Sequence, residues 1–569
     1  MDLGEKYRNF RVAVYCTAHD VVRMNDLKWL EESFNVLKKS IAFSKVYLET
    51  FRDNALVSKD LILRVKDFFQ DKGVETSGGI ATYVGSGFRF RSLCYSKPDD
   101  RERLREVVRL TASVFDEIIL DDFFFTSCKC ESCINAKGDR DWTEYRLRLM
   151  EDVAENIVVK TAKEVNPRVR LIIKYPNWYE HYQSLGYSLD FESRLFDMIY
   201  AGTETRDPEY TQQHLQEYQS YLIMRFLENV KPGGNGGGWV DPFARRTLNR
   251  YGEQIRLTLF AKPREVTLFC FGALIEHFLA DGAERPTSSV APIAGRVFEE
   301  MDPVLSILGQ PYGVKSYKPY DSSGEDFLHN YIGMIGVPVE LTPVFPEEGG
   351  TVFLTECASF DRGLISKIRK HLSKGGNVII TSGLLKALQK EIARELVEVE
   401  FTGRKALARE FWMMHDIYYS DTPILIPQLK YATNDSWEII TCLSRGNGYP
   451  LLLVTGYGKS DIYILTIPDN FNDLYSLPVE VLNEIRRVFN DEIRLEGPSR
   501  VCIFTYDNGV IIVHSFLPHS SKCSIVVKKS SVRLCEPTLN KELKGFERNG
   551  ETVFPFLLQP YSFRVFKIE

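Results

Sequence analysis

The chain has 569 residues, 44% hydrophobic and 26% charged, with 71 Lys and Arg against 77 Asp and Glu for a formal net charge of −6. That length exceeds one ordinary core, so about two to four domains are expected. Mixed charge without a basic stripe argues against nucleic acid as a partner, and no apolar run approaches the ~18 residues of a membrane span. Eleven cysteines are too sparse for a disulfide scaffold, and the N-terminus MDLGEKYRNFRVAVYC lacks a basic-then-apolar signal layout. A reducing cytoplasm is therefore the expected location.

Along the first 310 or so residues, strand-like and helix-like segments alternate. FRVAVYCTA reads as a buried strand, and Leu27, Leu30, Phe34 and Leu37 follow at helical spacing after the N-cap Asp26. KVYLETF is the second strand, with an amphipathic helix of Leu61, Ile62, Val65, Phe68 and Phe69 after Ser58. VETSGGIATYV is the third, backed by a helix over Asp99 to Phe115, and EIILDDFFF the fourth, with a long helix from about Trp142 to Val165. VRLIIKYPNWY, FDMIYAGTET, GGNGGGWVDPF and EVTLFCFG complete eight. Eight such units predict a (β/α)8 TIM barrel over residues 1–312, a doubly wound open sheet being the alternative. The barrel is favoured because polar residues gather at the C-terminal ends of nearly every strand.

From 313 to 495, segments such as NYIGMIGVPVELTP and GGTVFLTECASFDRGLISKIRKHLSKGGNVIITSG predict an open, flavodoxin-like α/β sheet. From 496 to 569, period-two alternation with Asn-Gly turn signals predicts a small β-sandwich. Cys357 in LTECASF lacks the flanking glycines of a nucleophile elbow, which argues against amidotransferase chemistry.

Barrel enzymes do their chemistry where strands end. Those positions hold Glu49, Asp121 and Asp122, Glu204 and Arg206, Asp241, and Glu276 beside His277, with Tyr175, Trp178 and Trp239 as aromatic neighbours. A ring of carboxylates with aromatics suits glycoside hydrolysis: one acid protonates the leaving oxygen, and a second attacks the anomeric carbon or activates water. The lead pair is Asp122 with Glu204, with Asp121 adjacent and Asp241 the alternative partner. Arg206 would hold a site carboxylate ionised or bind a sugar hydroxyl or acid. Glu49, Tyr175, Trp178, Arg206, Trp239 and Glu276 are candidate substrate contacts. The glycines of GNGGGW lack the Lys and Ser/Thr of a P-loop; a close backbone turn over the substrate is expected there.

Cys128, Cys130 and Cys133 form C-x-C-x-x-C six residues after Asp122, and Cys94 follows the adjacent strand. Four thiolates on two neighbouring loops make a closed structural zinc site, with no open position for catalysis. Cys16 and Cys270 lie inside strands and read as core.

A strand-four acid followed by this cysteine pattern, with one more cysteine upstream, resembles the glycoside hydrolases of family forty-two, the β-galactosidase type. The resemblance implies a barrel, an amidotransferase-like α/β domain used for trimerisation and a small β-domain. It implies zinc on Cys94, Cys128, Cys130 and Cys133, and it places Asp121-Asp122 where that family has Asn-Glu, the Glu being the acid/base. The chain departs there, and again at strand seven, where the family has a nucleophilic Glu and this sequence offers Asp241. Barrels of the α-galactosidase kind use a strand-four Asp and a strand-six acid/base, a layout Asp122 and Glu204 match; barrels acting on N-acetylhexosaminides use paired acids after strand four, which Asp121 and Asp122 also resemble. The expected protein is an intracellular, exo-acting glycoside hydrolase, a homotrimer taking an oligosaccharide or glycoside. The alternative is a non-catalytic carbohydrate-binding protein on a hydrolase-derived scaffold.

Overall fold

Eight short runs, most of them rich in Val, Ile, Leu and Tyr, have both faces largely buried, the pattern of strands in an all-parallel sheet. In the computed structural model they are β1 (Arg11–Cys16), β2 (Lys45–Glu49), β3 (Glu75–Ile80), β4 (Glu117–Leu120), β5 (Arg170–Tyr175), β6 (Met198–Gly202), β7 (Asn235–Val240) and β8 (Glu265–Phe269). They pair in parallel and close into a barrel in the order β1-β8-β7-β6-β5-β4-β3-β2. The structure describes residues 6–85, 91–211, 213, 215–244, 247–280, 283–431 and 435–569. The chain divides into two units, residues 1–306 and 307–569.

The barrel interior is layered. At the N-terminal end, Lys45 bonds Glu117 and lies 3.5 Å from Glu265, while the hydroxyls of Tyr47 and Tyr200 donate to Glu265 at 2.8 and 3.0 Å. Above lie Ala13, Tyr15, Ile119, Ile172 and Trp239. Large rings inside a barrel need small neighbours: a Cβ at Gly79 would meet the Tyr15 hydroxyl at 2.6 Å, and one at Gly237 would meet the Tyr200 hydroxyl at 2.5 Å. The glycine-rich run read as a turn over the substrate is therefore β7 itself, its glycines making room for Tyr200. The helix expected over Trp142 to Val165 is one continuous run whose middle, Val153–Val159, is a π-helix.

In the second unit, β9 (Val314–Tyr317), β10 (Val339–Thr342), β11 (Thr351–Leu354), β12 (Asn377–Thr381), β13 (Val399–Met413), β14 (Asp416–Tyr431), β15 (Ser436–Ser444), β16 (Asn447–Tyr457) and β17 (Ser460–Leu465) form one sheet in the order β10-β9-β11-β12-β17-β16-β15-β13-β14. The first five are parallel in the flavodoxin-like order. The other four extend the sheet as antiparallel strands, with β13 between β14 and β15, an extension that the sequence reading did not resolve. β13 and β14 run 15 and 16 residues; Ala406 and Ala408, and Ile424 and Ile426, alternate into the core, but Trp412, Ile417 and Tyr419 toward the hairpin end are exposed, so the alternation covers only part of each strand. Two antiparallel sheets over Pro311–Tyr312 and Ile493–Ile568 pack Leu495, Val501, Ile525, Phe554 and Phe566 between them, a sandwich. Among the described residues no helix is long and apolar enough to cross a membrane.

Candidate active site

The C-terminal ends of the barrel strands surround a cavity of about 750 Å³. Its polar side includes Arg52, Asp121, Asp122, Lys174, Asn177, Glu204, Arg206 and Asp241, and its apolar side includes Phe123, Phe125, Trp178, Trp239, Phe243 and Phe269.

Asp121 is the first residue past β4, and its amide still donates to Ile80 of β3. Its side chain is buried between two cations: Arg52 donates to Oδ2 at 2.6 Å, and Lys174 Nζ lies 3.6 Å from Oδ1. Asp122 follows with its amide on Asp121 Oδ1 at 2.8 Å, and its side chain keeps 22% of its surface exposed. Lys174 Nζ donates to Asp122 Oδ2 at 2.7 Å and to Glu204 Oε1 at 3.1 Å, and sits 4.5 Å from the centre of the Trp239 ring. Glu204 lies two residues past β6, where Asn177 Nδ2 donates to its backbone carbonyl at 2.5 Å. Past β7, Asp241 accepts from Arg206 Nε at 3.2 Å and from its terminal nitrogen at 2.7 Å.

These contacts set the protonation pattern. Burial pushes the Asp122 carboxyl up to about 7, against the pull of Lys174 and with help from the negative neighbours Asp121 and Glu204. Burial likewise raises Glu204, opposed by Lys174. Burial acts upward on Asp121 too, but Lys174 and Arg52 more than offset it and hold that carboxyl below its ordinary value. Burial alone would lower Lys174; Asp122, Glu204 and Asp121 together raise it. With Glu49 included, five carboxyl groups face three cations, Arg52, Lys174 and Arg206. A surplus of negative charge in a buried pocket favours positive charge developing on a bound molecule.

Trp178 lines the cavity, and Trp239 is its floor, with Tyr15 at 4.6 Å and Phe269 at 5.5 Å between ring centres. Three other expected contacts lie elsewhere. Glu49 is fully buried, accepting from Tyr15, the Ala18 amide and both prongs of Arg52, so its carboxylate positions Arg52. Tyr175 points out of the barrel because strand side chains alternate and Lys174 points in; its hydroxyl donates to Glu192 at 3.2 Å. Glu276 and His277 sit exposed on a hairpin after β8, with Glu276 bonded by Ser289.

Lys174, Arg52 and Asn177 were missed. Lys174 left a signal: an ammonium in the strand RLIIKY is buried at a cost that only acidic partners offset.

Cys94, Cys128, Cys130 and Cys133 come together beside the β4 loop, their Sγ atoms all within 4.8 Å of one another. Cys94 is 3.5 Å from Cys133 and 3.6 Å from Cys130, and Cys130 is 3.7 Å from Cys133. A disulfide needs about 2.05 Å, whereas metal–sulfur bonds of about 2.3 Å in a tetrahedron give edges of about 3.8 Å. The set fits a tetrahedral metal ion. Cys130 stands at the N-cap position of the helix Glu131–Lys137, and the backbone N–H of Cys133 foremost draws its thiol down to about 6, whereas burial pushes the Cys94 and Cys128 thiols up. Between the acids and the thiols, Thr82 donates to the Phe123 carbonyl and Ser92 to that of Phe125, so the connecting loop is held along its length.

A model described as the catalytic domain of a probable glycosyl hydrolase matches residues 2–291, and the corresponding C-terminal-domain model matches 492–568. Residues 309–470 match the second domain of the uncharacterized protein SSO3021. That protein, from Saccharolobus solfataricus, is 25% identical over 536 residues, covering 86% of this chain and 87% of its own. Similar folds include a β-galactosidase from Bacillus circulans sp. alkalophilus (TM-score 0.65, 9% identity, 100% of both chains) and a catalytic mutant of Gan42B, a GH42 β-galactosidase from G. stearothermophilus (0.65, 10%, 100% of both). An α-L-fucosidase isoenzyme 2 from Paenibacillus thiaminolyticus is equally similar (0.65, 12%, 99% of this chain and 100% of the other). With the catalytic-domain model spanning just over half the chain, on a barrel that gathers its acids in one cavity, the protein belongs to the family described as probable glycosyl hydrolases.

Proposed function

We propose that the protein is an exo-acting glycoside hydrolase that removes a terminal sugar from an oligosaccharide or glycoside with retention of configuration, with Asp122 as proton donor and Glu204 as nucleophile. One observation carries this: both carboxylates accept from the same Lys174 Nζ. The legs of 2.7 and 3.1 Å limit the two nearest oxygens to about 5.8 Å apart, a bound that favours the shorter, retaining spacing over the wider, inverting one. Retaining enzymes hold their carboxyls about 5–5.5 Å apart, and inverting ones about 6.5–9.5 Å, to admit a water. Asp122, facing the cavity and held up near 7, is suited to carry the proton. Asp241 is engaged by both prongs of Arg206, which makes it the second choice for nucleophile. The cysteine cluster would hold a structural zinc that pins the loop bearing Asp121 and Asp122. An intracellular homotrimer, with residues 313–495 supplying contacts between subunits, completes the reading.

The rival reading, a carbohydrate-binding protein without turnover, draws on the Asp residues that stand where the family forty-two resemblance expects Glu. A panel of nitrophenyl glycosides, including β-galactoside and α-L-fucoside, separates the two. A hydrolase turns over at least one, loses several orders of magnitude in Asp122→Asn and Glu204→Gln, and regains turnover in Glu204→Ala, where azide can fill the vacated space and attack the anomeric carbon. Near-parental activity in Glu204→Gln with none in Asp241→Asn moves the nucleophile to Asp241. Sugar binding without turnover in the unaltered protein supports the rival.

A further inference from the structure

Lys174 has a place that no two-carboxylate scheme requires. Its side chain is 2% exposed. Facing Nζ are Asp121 and Asp122 from the β4 loop at 3.6 and 2.7 Å, Glu204 from the β6 loop at 3.1 Å, and the Trp239 ring of β7 at 4.5 Å. Beyond these, Arg52 holds Asp121, the Arg206–Asp241 pair lies next to Glu204, and Tyr182 and Tyr187 lie beside Asp122. The ammonium is thus nearly equidistant from the two groups whose charges change in the reaction.

We propose that Lys174 is a positioning residue across which negative charge passes from Glu204 to Asp122 as the glycosidic bond breaks. This rests on the assignment of Asp122 and Glu204 as the working pair. In the first step a Glu204 oxygen lone pair forms a bond to the anomeric carbon. The bond from that carbon to the leaving oxygen breaks, its electron pair going to that oxygen, and the Asp122 proton moves onto it. Glu204 loses its negative charge as an ester, and Asp122 gains one as a carboxylate. The second step reverses this: Asp122 takes a proton from water, the water oxygen bonds the anomeric carbon, and Glu204 leaves as carboxylate. Through both steps one anion remains beside Lys174, 2.7 to 3.1 Å away. A fixed cation shared by donor and nucleophile needs no rearrangement as charge crosses the site, which is how preorganised electrostatics lowers a barrier. The Trp239 face beneath keeps the ammonium in place.

The test compares the unaltered enzyme, Lys174→Met and Lys174→Arg on the best nitrophenyl glycoside, with full pH profiles of kcat and kcat/KM. Lys174→Met is expected to lose roughly 10²-fold or more in kcat with little change in KM. Its bell should move to higher pH by about one to three units, because both carboxyls lose their shared cation. Lys174→Arg should return the bell toward its original position. If Lys174→Met is not recovered folded, Lys174→Met/Glu204→Ala removes one charge of each sign and vacates the nucleophile's space for azide. Its azide-supported turnover should then show the Asp122 limb displaced upward relative to Glu204→Ala alone. An unchanged bell in Lys174→Met, or an unmoved limb in the double variant, overturns the role of Lys174 and leaves the glycosidase reading standing. Absence of turnover in the unaltered enzyme fails that reading instead.

Discussion

Replacing Asp122 by Asn should abolish activity and, above neutral pH, make the protein more stable. The folded protein holds the Asp122 proton up to about 7, whereas an unfolded chain releases it near the ordinary 3.8. A carboxyl raised by folding stabilises the fold at low pH, and that contribution drains away between about 4 and 7 as the unfolded state alone gives up its proton. The full difference corresponds to about 4 kcal/mol. With 22% of the side chain exposed to the cavity, screening reduces this to about 2 kcal/mol. Asn carries no proton to lose, so the stability of the variant relative to the parent should rise by about that amount from pH 4.5 to 7.5 and level off above. For a unit of this size that is roughly 3 °C in Tm. The constant offset from weakening the Lys174 hydrogen bond cancels in the comparison across pH. Melting both proteins by calorimetry at pH 4.5, 5.5, 6.5, 7.5 and 8.5 measures it. A Tm difference that stays flat over that range, or falls as pH rises, refutes the reasoning.

Purified protein should contain one tightly bound zinc per chain by metal analysis, with Cys94 and Cys128 protected from thiol reagents until a chelator is added; Cys130→Ser should lower Tm more than it lowers the turnover of the folded fraction. Gly79→Ala should cost about 2 kcal/mol or more by chemical denaturation, because the added methyl meets the Tyr15 hydroxyl at 2.6 Å inside a closed barrel. Arg206→Met leaves the buried Asp241 carboxylate without its bidentate partner and should destabilise by about 3 kcal/mol, whereas Arg206→Met/Asp241→Asn should recover much of the loss. Sedimentation at micromolar concentration should give a trimer, and a monomer ends that part of the reading.

The eight barrel strands were legible because a parallel strand buried on both faces is a short apolar run between helices of period 3.6, and all eight runs appear where expected. The thiol cluster was legible for a related reason: soft ligands crowded into a polar loop have little packing use, and barrel topology sets the loops after β3 and β4 side by side. Strand-end acids could be enumerated from the sequence, yet their sorting waited for three dimensions. Glu49 and Asp122 both end or follow a strand, but only the closed barrel turns Glu49 into a buried clamp on Arg52 and leaves Asp122 facing the cavity. The alternation that sends Lys174 inward sends Tyr175 out to Glu192, a one-residue distinction the sequence alone left open. The antiparallel extension of the second unit stayed hidden because its two long strands bury alternate residues over only part of their length, and Trp412, Ile417 and Tyr419 lie exposed beyond it. Local propensity and burial pattern are written along the chain and place its elements. The separation of two carboxylates and the cation shared between them are distances across a barrel, between residues 52 positions apart on one side and 30 on the other. Only closure of the sheet sets those distances.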